Sequence, residues 1–151
     1  HKIPGAGWAD VVKSVHEVGG KIVPQLWHVG MARQADGDNP NPEAQPIGPS
    51  GIDVPTFEKR SQEMSLEEIN YLVNAFAKAA SDAKELGFDG IEIHGAHGYL
   101  IDQFLWEKTN QREDKYGGSL LARTQFAVDI IKNDSKYKYN MASVVGSSYV
   151  S

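Results

Sequence analysis

Apolar residues recur along this chain in two alternating rhythms. Trp8, Val11, Val12, Val15 and Val18 fall at helical spacing. Gly19 and Gly20 follow in the position where helices commonly end in a left-handed cap. The spacing then changes to the two-residue period of a strand over Lys21–His28, with Val23, Gln25 and Trp27 on one face and Leu26 and His28 on the other. Pro24 has no N–H to give to a ladder, so it marks an edge or an irregular point of pairing. From Gly30 to Met64 no period holds. Pro40, Pro42, Pro46, Pro49 and Pro55 break the segment into a long loop, which is either functional or an ordinary excursion over the surface.

The helical rhythm returns with Ile69, Leu72, Val73, Phe76, Ala80 and Ala83. Ser65 and Glu68 have the spacing of a capping box, and Met64 and Ile69 that of a hydrophobic staple. Gly87 ends this helix. A second strand is predicted over Gly90–His94, where Ile91 and Ile93 alternate with Glu92 and His94. Ser119 is the expected N-cap of a last helix that buries Phe126, Ala127, Ile130 and Ile131, and the pattern fades after Lys132. Helix, strand, helix, strand with short turns implies parallel strands joined by right-handed crossovers, an α/β architecture.

Composition narrows the function classes. A net charge of -5 argues against nucleic acid or an anionic membrane as main partner. The chain has no cysteine, which excludes disulfides, thiolate metal sites and a cysteine nucleophile within it. No apolar run approaches the ~18 residues of a membrane span. The N-terminus lacks a signal-peptide layout, so cytoplasm is the expected location.

Candidate chemistry gathers where the second strand breaks at Gly95 and Gly98, for there the chain carries His94, His97 and Tyr99. Titratable groups just past a strand end are where α/β enzymes place their reactive residues. A phenol at Tyr99 can serve as a general acid or simply pack. His94 and His97 can be paired donors to a substrate oxygen, or loop histidines satisfied by their surroundings. With His28 they could supply three imidazoles to a metal, but the helical HExxH spacing is absent and no metal is expected. Glu92 shares the parity of His94 and needs a partner if buried. Arg112, Asp114 and Tyr116 read as a loop-locking network. No phosphate-binding glycine loop of the GxGxxG or GxxxxGK type is present.

Three stretches carry a resemblance. HGAHGYLIDQF at 94–104, TNQREDKYGGSL at 109–120 and QLWHVG at 25–30 resemble, in this order along the chain, the central signature of the Old Yellow Enzyme family. These are FMN-dependent ene-reductases on a (β/α)8 TIM barrel. The resemblance implies an oxidoreductase in which NAD(P)H reduces the flavin and an activated alkene, an enone or nitroalkene, then takes hydride at its β-carbon. It implies that Tyr99 protonates the α-carbon and that His94 and His97 hold the electron-withdrawing oxygen. It further implies that Trp27 shapes the substrate pocket and that Gln25 hydrogen-bonds the isoalloxazine ring. Met31 stands where such enzymes often have arginine.

At 151 residues the chain is shorter than the roughly 200 or more of a closed barrel. The expectation is therefore a barrel fragment of about two βα units over residues 1–132, with a divergent or disordered tail at 133–151; the resemblance implies a further strand there with an arginine that contacts the flavin, and the tail contains no arginine. Such a fragment would expose open strand edges and bind FMN poorly by itself. Two alternatives remain at this point. One is an inactive remnant or interaction module that pairs with a complementing barrel fragment or forms an oligomer. The other is the dienoyl-CoA-reductase-like branch of flavin barrels.

Overall fold

The computed structural model describes residues 5–34 and 41–135. In chain order the elements are α1 (Gly5–Glu17), β1 (Gln25–Leu26), a 3-10 turn (Gly30–Ala32), α2 (Leu66–Glu85), β2 (Glu92–Ile93), α3 (Leu100–Leu105), α4 (Leu120–Arg123) and α5 (Gln125–Ser135). β1 and β2 pair in parallel, Gln25 opposite Glu92 and Leu26 opposite Ile93, with α2 as the crossover. The alternation of helix and strand in the sequence therefore gives the expected connection.

Both strands are shorter than their periodicity suggests, and Pro24 explains the start of β1. The N–H groups of Asp89, Glu92 and His94 donate to the carbonyls of Ile22, Pro24 and Leu26, so the strands already run together from Ile22. Pro24 accepts but has no N–H to return, and regular two-way pairing begins only at Gln25.

α2 follows its sequence signals closely. The Glu68 N–H donates to Ser65 Oγ at 3.1 Å, and the Ser65 N–H donates to Glu68 Oε2 at 2.7 Å, closing the capping box. Its stripe of Ile69, Leu72, Val73, Phe76, Ala80 and Ala83 is buried against Ile91 and Ile93 and against Phe126 and Ile130 of α5. Met64, at the staple position, joins the same core. Burying such a side chain contributes roughly 1.5–3 kcal/mol. Phe104 and Phe126 stack with ring centroids 4.2 Å apart, which binds α3 to α5.

α1 departs from expectation. Gly19 caps it with φ +76°, and the Gly20 N–H returns to the Val15 carbonyl. Yet of its predicted stripe only Val12 is buried; Trp8 is 53% exposed, Val11 is exposed and Val18 is 84% exposed. Trp8 touches the core at Phe88, with centroids 6.2 Å apart, but among the described residues no second element covers that face. Two further differences lie near the C-terminal side. The motif loop contains the short helix α3, which the glycines at 95 and 98 concealed. The last helix is split at Thr124 into α4 and α5 and continues to Ser135, past Lys132. Ser119 is its N-cap as expected, accepting from the Ala122 N–H. The remainder of the tail, from 136 onward, lies outside the described residues.

The buried Arg112 side chain anchors the far end of the long loop. Arg112 donates through Nη1 to the carbonyls of Pro49 and Met64, and through Nε and Nη2 to both carboxylate oxygens of Asp114. That guanidinium holds the Asp114 carboxyl below its ordinary pKa, assisted by the Tyr116 N–H. Asn110 Nδ2 donates to the carbonyls of Phe104 and Tyr116, and the Tyr116 hydroxyl donates to Asp129 on α5. Arg112, Asp114 and Tyr116 thus form the scaffold that their sequence context suggests.

Candidate functional site

Parallel register places the ends of β1 and β2 side by side, and the side chains that follow each strand converge. Trp27 and Tyr99 meet edge to face with ring centroids 5.0 Å apart. His94 lies 6.2 Å from Trp27, 5.3 Å from Tyr99 and 5.2 Å from His97. Trp27 is 52% exposed, His97 is exposed, and His94 and Tyr99 are half-buried, so the group opens to solvent. Gln25 stands two residues before Trp27 on the same exposed face, and its Nε2 donates to Glu92 Oε1 at 3.1 Å. Glu92, two residues before His94, has its partner in that amide.

His28 does not join the imidazole pair. Its Nδ1 accepts the N–H of Gly30 at 3.0 Å, which fixes the neutral ring with the proton on Nε2. Burial lowers its pKa below the ordinary histidine value, and the charge of Arg33 pushes the same way. Among the described residues no group of three or more histidine and carboxylate side chains is placed to hold a metal ion.

The turn that carries His97 and Tyr99 is unusual in its backbone. His97 has φ +60° and Gly98 has φ +73°, two successive residues in the left-handed region. A non-glycine residue keeps that conformation only where its surroundings over-determine it. The buried Asp102 accepts the Gly98 N–H at 2.8 Å through Oδ2, and the buried Gln103 donates to the Gly98 carbonyl at 2.6 Å. Val54, from a hairpin closed by the Ile52–Lys59 bridge, packs against Gly98 from the other side: a Cβ there would lie 3.1 Å from Val54 Cγ1.

Asp102 and Gln103 were not among the candidates from sequence. Their signal is present in retrospect: two polar residues interrupt the apolar run Leu100, Ile101, Phe104, all of which are buried. A polar pair inside an apolar helix is buried only with its hydrogen bonds satisfied.

The NADH:flavin oxidoreductase / NADH oxidase family matches residues 4–137. The chain is 46% identical over 134 residues to 12-oxophytodienoate reductase 2 of Arabidopsis thaliana, an alignment covering 82% of this chain and 35% of that protein. It is 45% identical over 134 residues to the protein described as putative 12-oxophytodienoate reductase 11 of Oryza sativa subsp. japonica, covering 83% and 36%. Morphinone reductase in complex with tetrahydroNAD superposes with a TM-score of 0.80 at 33% identity, covering 91% of this chain and 41% of that one. The Old Yellow Enzyme homologue from Zymomonas mobilis superposes with a TM-score of 0.77 at 32% identity, covering 91% and 40%. The chain spans about a third of the length of these curated relatives. It carries part of their barrel fold, with no closed barrel among the described residues. No helix among the described residues is long and apolar enough to cross a membrane. With the two strand ends and their aromatic cluster lying where the signature stretches fall, the chain belongs to the NADH:flavin oxidoreductase / NADH oxidase family, the Old Yellow Enzymes.

Proposed function

We infer that these residues form the substrate-activating wall of an FMN-dependent, NAD(P)H-reduced ene-reductase acting on an α,β-unsaturated carbonyl compound. The observation that carries this is the convergence of Trp27, His94, His97 and Tyr99 at two neighbouring strand ends. Relatives named for the reduction of 12-oxophytodienoate and of morphinone favour an oxo compound over a nitroalkene.

The donor set fits the cofactor. Gln25 presents a carboxamide, with donor and acceptor on one planar group, on the open face beside the cluster. That is the set which the alternating N–H and C=O edge of a flavin ring requires. When bound, FMN supplies the hydride that NAD(P)H provides. Every other task falls to side chains of this chain. His94 and His97 donate to the carbonyl oxygen of the substrate and draw electron density away from its double bond, so that the β-carbon accepts hydride. Tyr99 gives its hydroxyl proton to the α-carbon. Trp27, edge-on to Tyr99, is the apolar wall that holds the alkene against it.

The test is the visible absorbance of the purified polypeptide with FMN added, followed through anaerobic NADPH and then an enone such as cyclohexenone. A flavin band that bleaches with NADPH and returns with the enone supports the reading. A band that returns equally fast in a variant with His94 and His97 both changed to alanine sinks it.

A further inference from the structure

Past the last ladder bond, from the His94 N–H to the Leu26 carbonyl, β1 and β2 no longer pair. The side chains of the proposed pocket nevertheless come from both segments beyond that point. One backbone bond, from the Leu100 N–H to the His28 carbonyl at 3.0 Å, and the side chain of Gln103 span the gap. Gln103 is 1% exposed, and its carboxamide makes three bonds to two loops. Oε1 accepts the Met31 N–H at 3.1 Å; Nε2 donates to the Gly98 carbonyl at 2.6 Å and, at a longer 3.4 Å, to the Val29 carbonyl. The first and third partners follow β1; the second follows β2.

The rest of the neighbourhood is built around this amide. Gly30 has φ +61°, and a Cβ placed on it would lie 2.3 Å from Gln103 Oε1. A Cβ on Gly48 would lie 3.2 Å from the same oxygen. On the helix side, the Gln103 N–H donates to the Tyr99 carbonyl and its own carbonyl accepts from Thr109 Oγ1, both at 2.8 Å. One residue is therefore tied to Tyr99 through its backbone and to the loop after Trp27 through its side chain.

We propose that Gln103 is the positioning residue of the pocket: by locking Val29–Met31 onto the His97–Gly98 turn it sets the face-to-edge spacing of Trp27 and Tyr99. This rests on the reading of those two residues as pocket walls. A residue that merely filled space would leave the ring contact unchanged when replaced by an apolar side chain of similar length. Gln103→Met keeps the volume and removes all three bonds. Gln103→Glu keeps an acceptor for Met31 but turns a carboxylate toward two carbonyls, which repels both.

The experiment is NMR on the full chain, with nuclear Overhauser contacts between the Trp27 and Tyr99 rings as readout and α2 amide shifts as the control for folding. Gln103→Met should weaken the ring contacts at least threefold and move the Gly98 and Met31 amide peaks, with α2 unchanged. Gln103→Glu should weaken the contacts as much while moving Met31 less. Ring contacts of wild-type strength in a folded Gln103→Met overturn the proposal. If Gln103→Met does not fold, Gly30→Ala takes its place: its Cβ displaces the amide, and wild-type ring contacts there overturn the proposal equally. FMN titration of the same variants separates the two readings. Lost ring contacts with unchanged FMN affinity and enone turnover uphold Gln103 as positioner and remove Trp27 and Tyr99 from the pocket.

Discussion

Trp27 and Tyr99 stand 72 positions apart in the sequence and meet edge to face at 5.0 Å. Neither strand alone could bring them together. The contact exists because Gln25 pairs with Glu92, because Leu100 donates its N–H to the His28 carbonyl at 3.0 Å, and because a buried amide bridges the loops beyond. The chemistry proposed for the pocket is a consequence of that register.

Arg112 is the first place to test how the scaffold holds the site. The residue is 3% exposed, and its guanidinium satisfies two loop carbonyls as well as Asp114. Arg112→Met leaves those carbonyls buried without donors, which costs about 3 kcal/mol or more at ~1–3 kcal/mol for each unsatisfied group. The expected outcome is a lower urea midpoint with an unchanged m-value. An equal loss in Asp114→Asn would mean that the carboxylate, not the pair of carbonyls, dominates.

The α2 cap gives a smaller, cleaner effect. Ser65→Ala removes the oxygen that accepts the Glu68 N–H, at an exposed position where no core volume changes. The loss should be about 1 kcal/mol. Glu68→Ala should cost a similar amount, and the double variant less than the sum, because the two bonds form one box. Additive losses from thermal melts would argue against coupling.

Much of this fold could be read from the chain, and the exceptions share a cause. α2 was legible from end to end because its cap, its staple and its stripe are all local signals. The signature residues Gln25, Trp27, His94, His97 and Tyr99 were legible as a group, and the structure brings them to one place. What stayed hidden depends on contacts distant in sequence. The stripe of α1 predicts a buried face, but whether Trp8, Val11 and Val18 are covered depends on neighbours that periodicity does not describe. α3 was hidden because two glycines stand just before it and a polar pair interrupts its apolar pattern. Of that pair, Gln103 is needed by a loop 72 residues away, at Met31.

His28 predicts how stability responds to mild acid. In the folded chain its pKa lies below 6.5, because the ring is buried and the charge of Arg33 pushes the same way. The unfolded chain therefore binds more protons between that lowered value and 6.5, and stability is fully present above 6.5 and lost as pH falls through the window. Urea midpoints taken from pH 7.5 down to 5.5 should decline. His28→Asn, whose Oδ1 can accept the same N–H without titrating, should flatten the decline. Asp89 acts elsewhere: bonds from His16, Lys21 and the Ile22 N–H hold its carboxyl far below the usual range, so its contribution is lost only below pH 4.

The last prediction separates the role of Tyr99 from that of its neighbours. Tyr99→Phe keeps the ring that meets Trp27 and His94 and removes only the hydroxyl. If that hydroxyl protonates the α-carbon, reoxidation by an enone should slow by roughly 10²–10⁴-fold, the usual contribution of a positioned general acid. Flavin reduction by NADPH needs no such proton and should keep its rate. Enone affinity should stay close to wild type if His94 and His97 hold the oxygen as proposed. The opposite pattern is expected from His94→Ala, where affinity and reoxidation fall together as the electron-withdrawing oxygen loses a donor. Stopped-flow measurement of the two half-reactions distinguishes these outcomes. Equal slowing of both halves in Tyr99→Phe would place the tyrosine in the packing of the pocket and leave the proton to come from water.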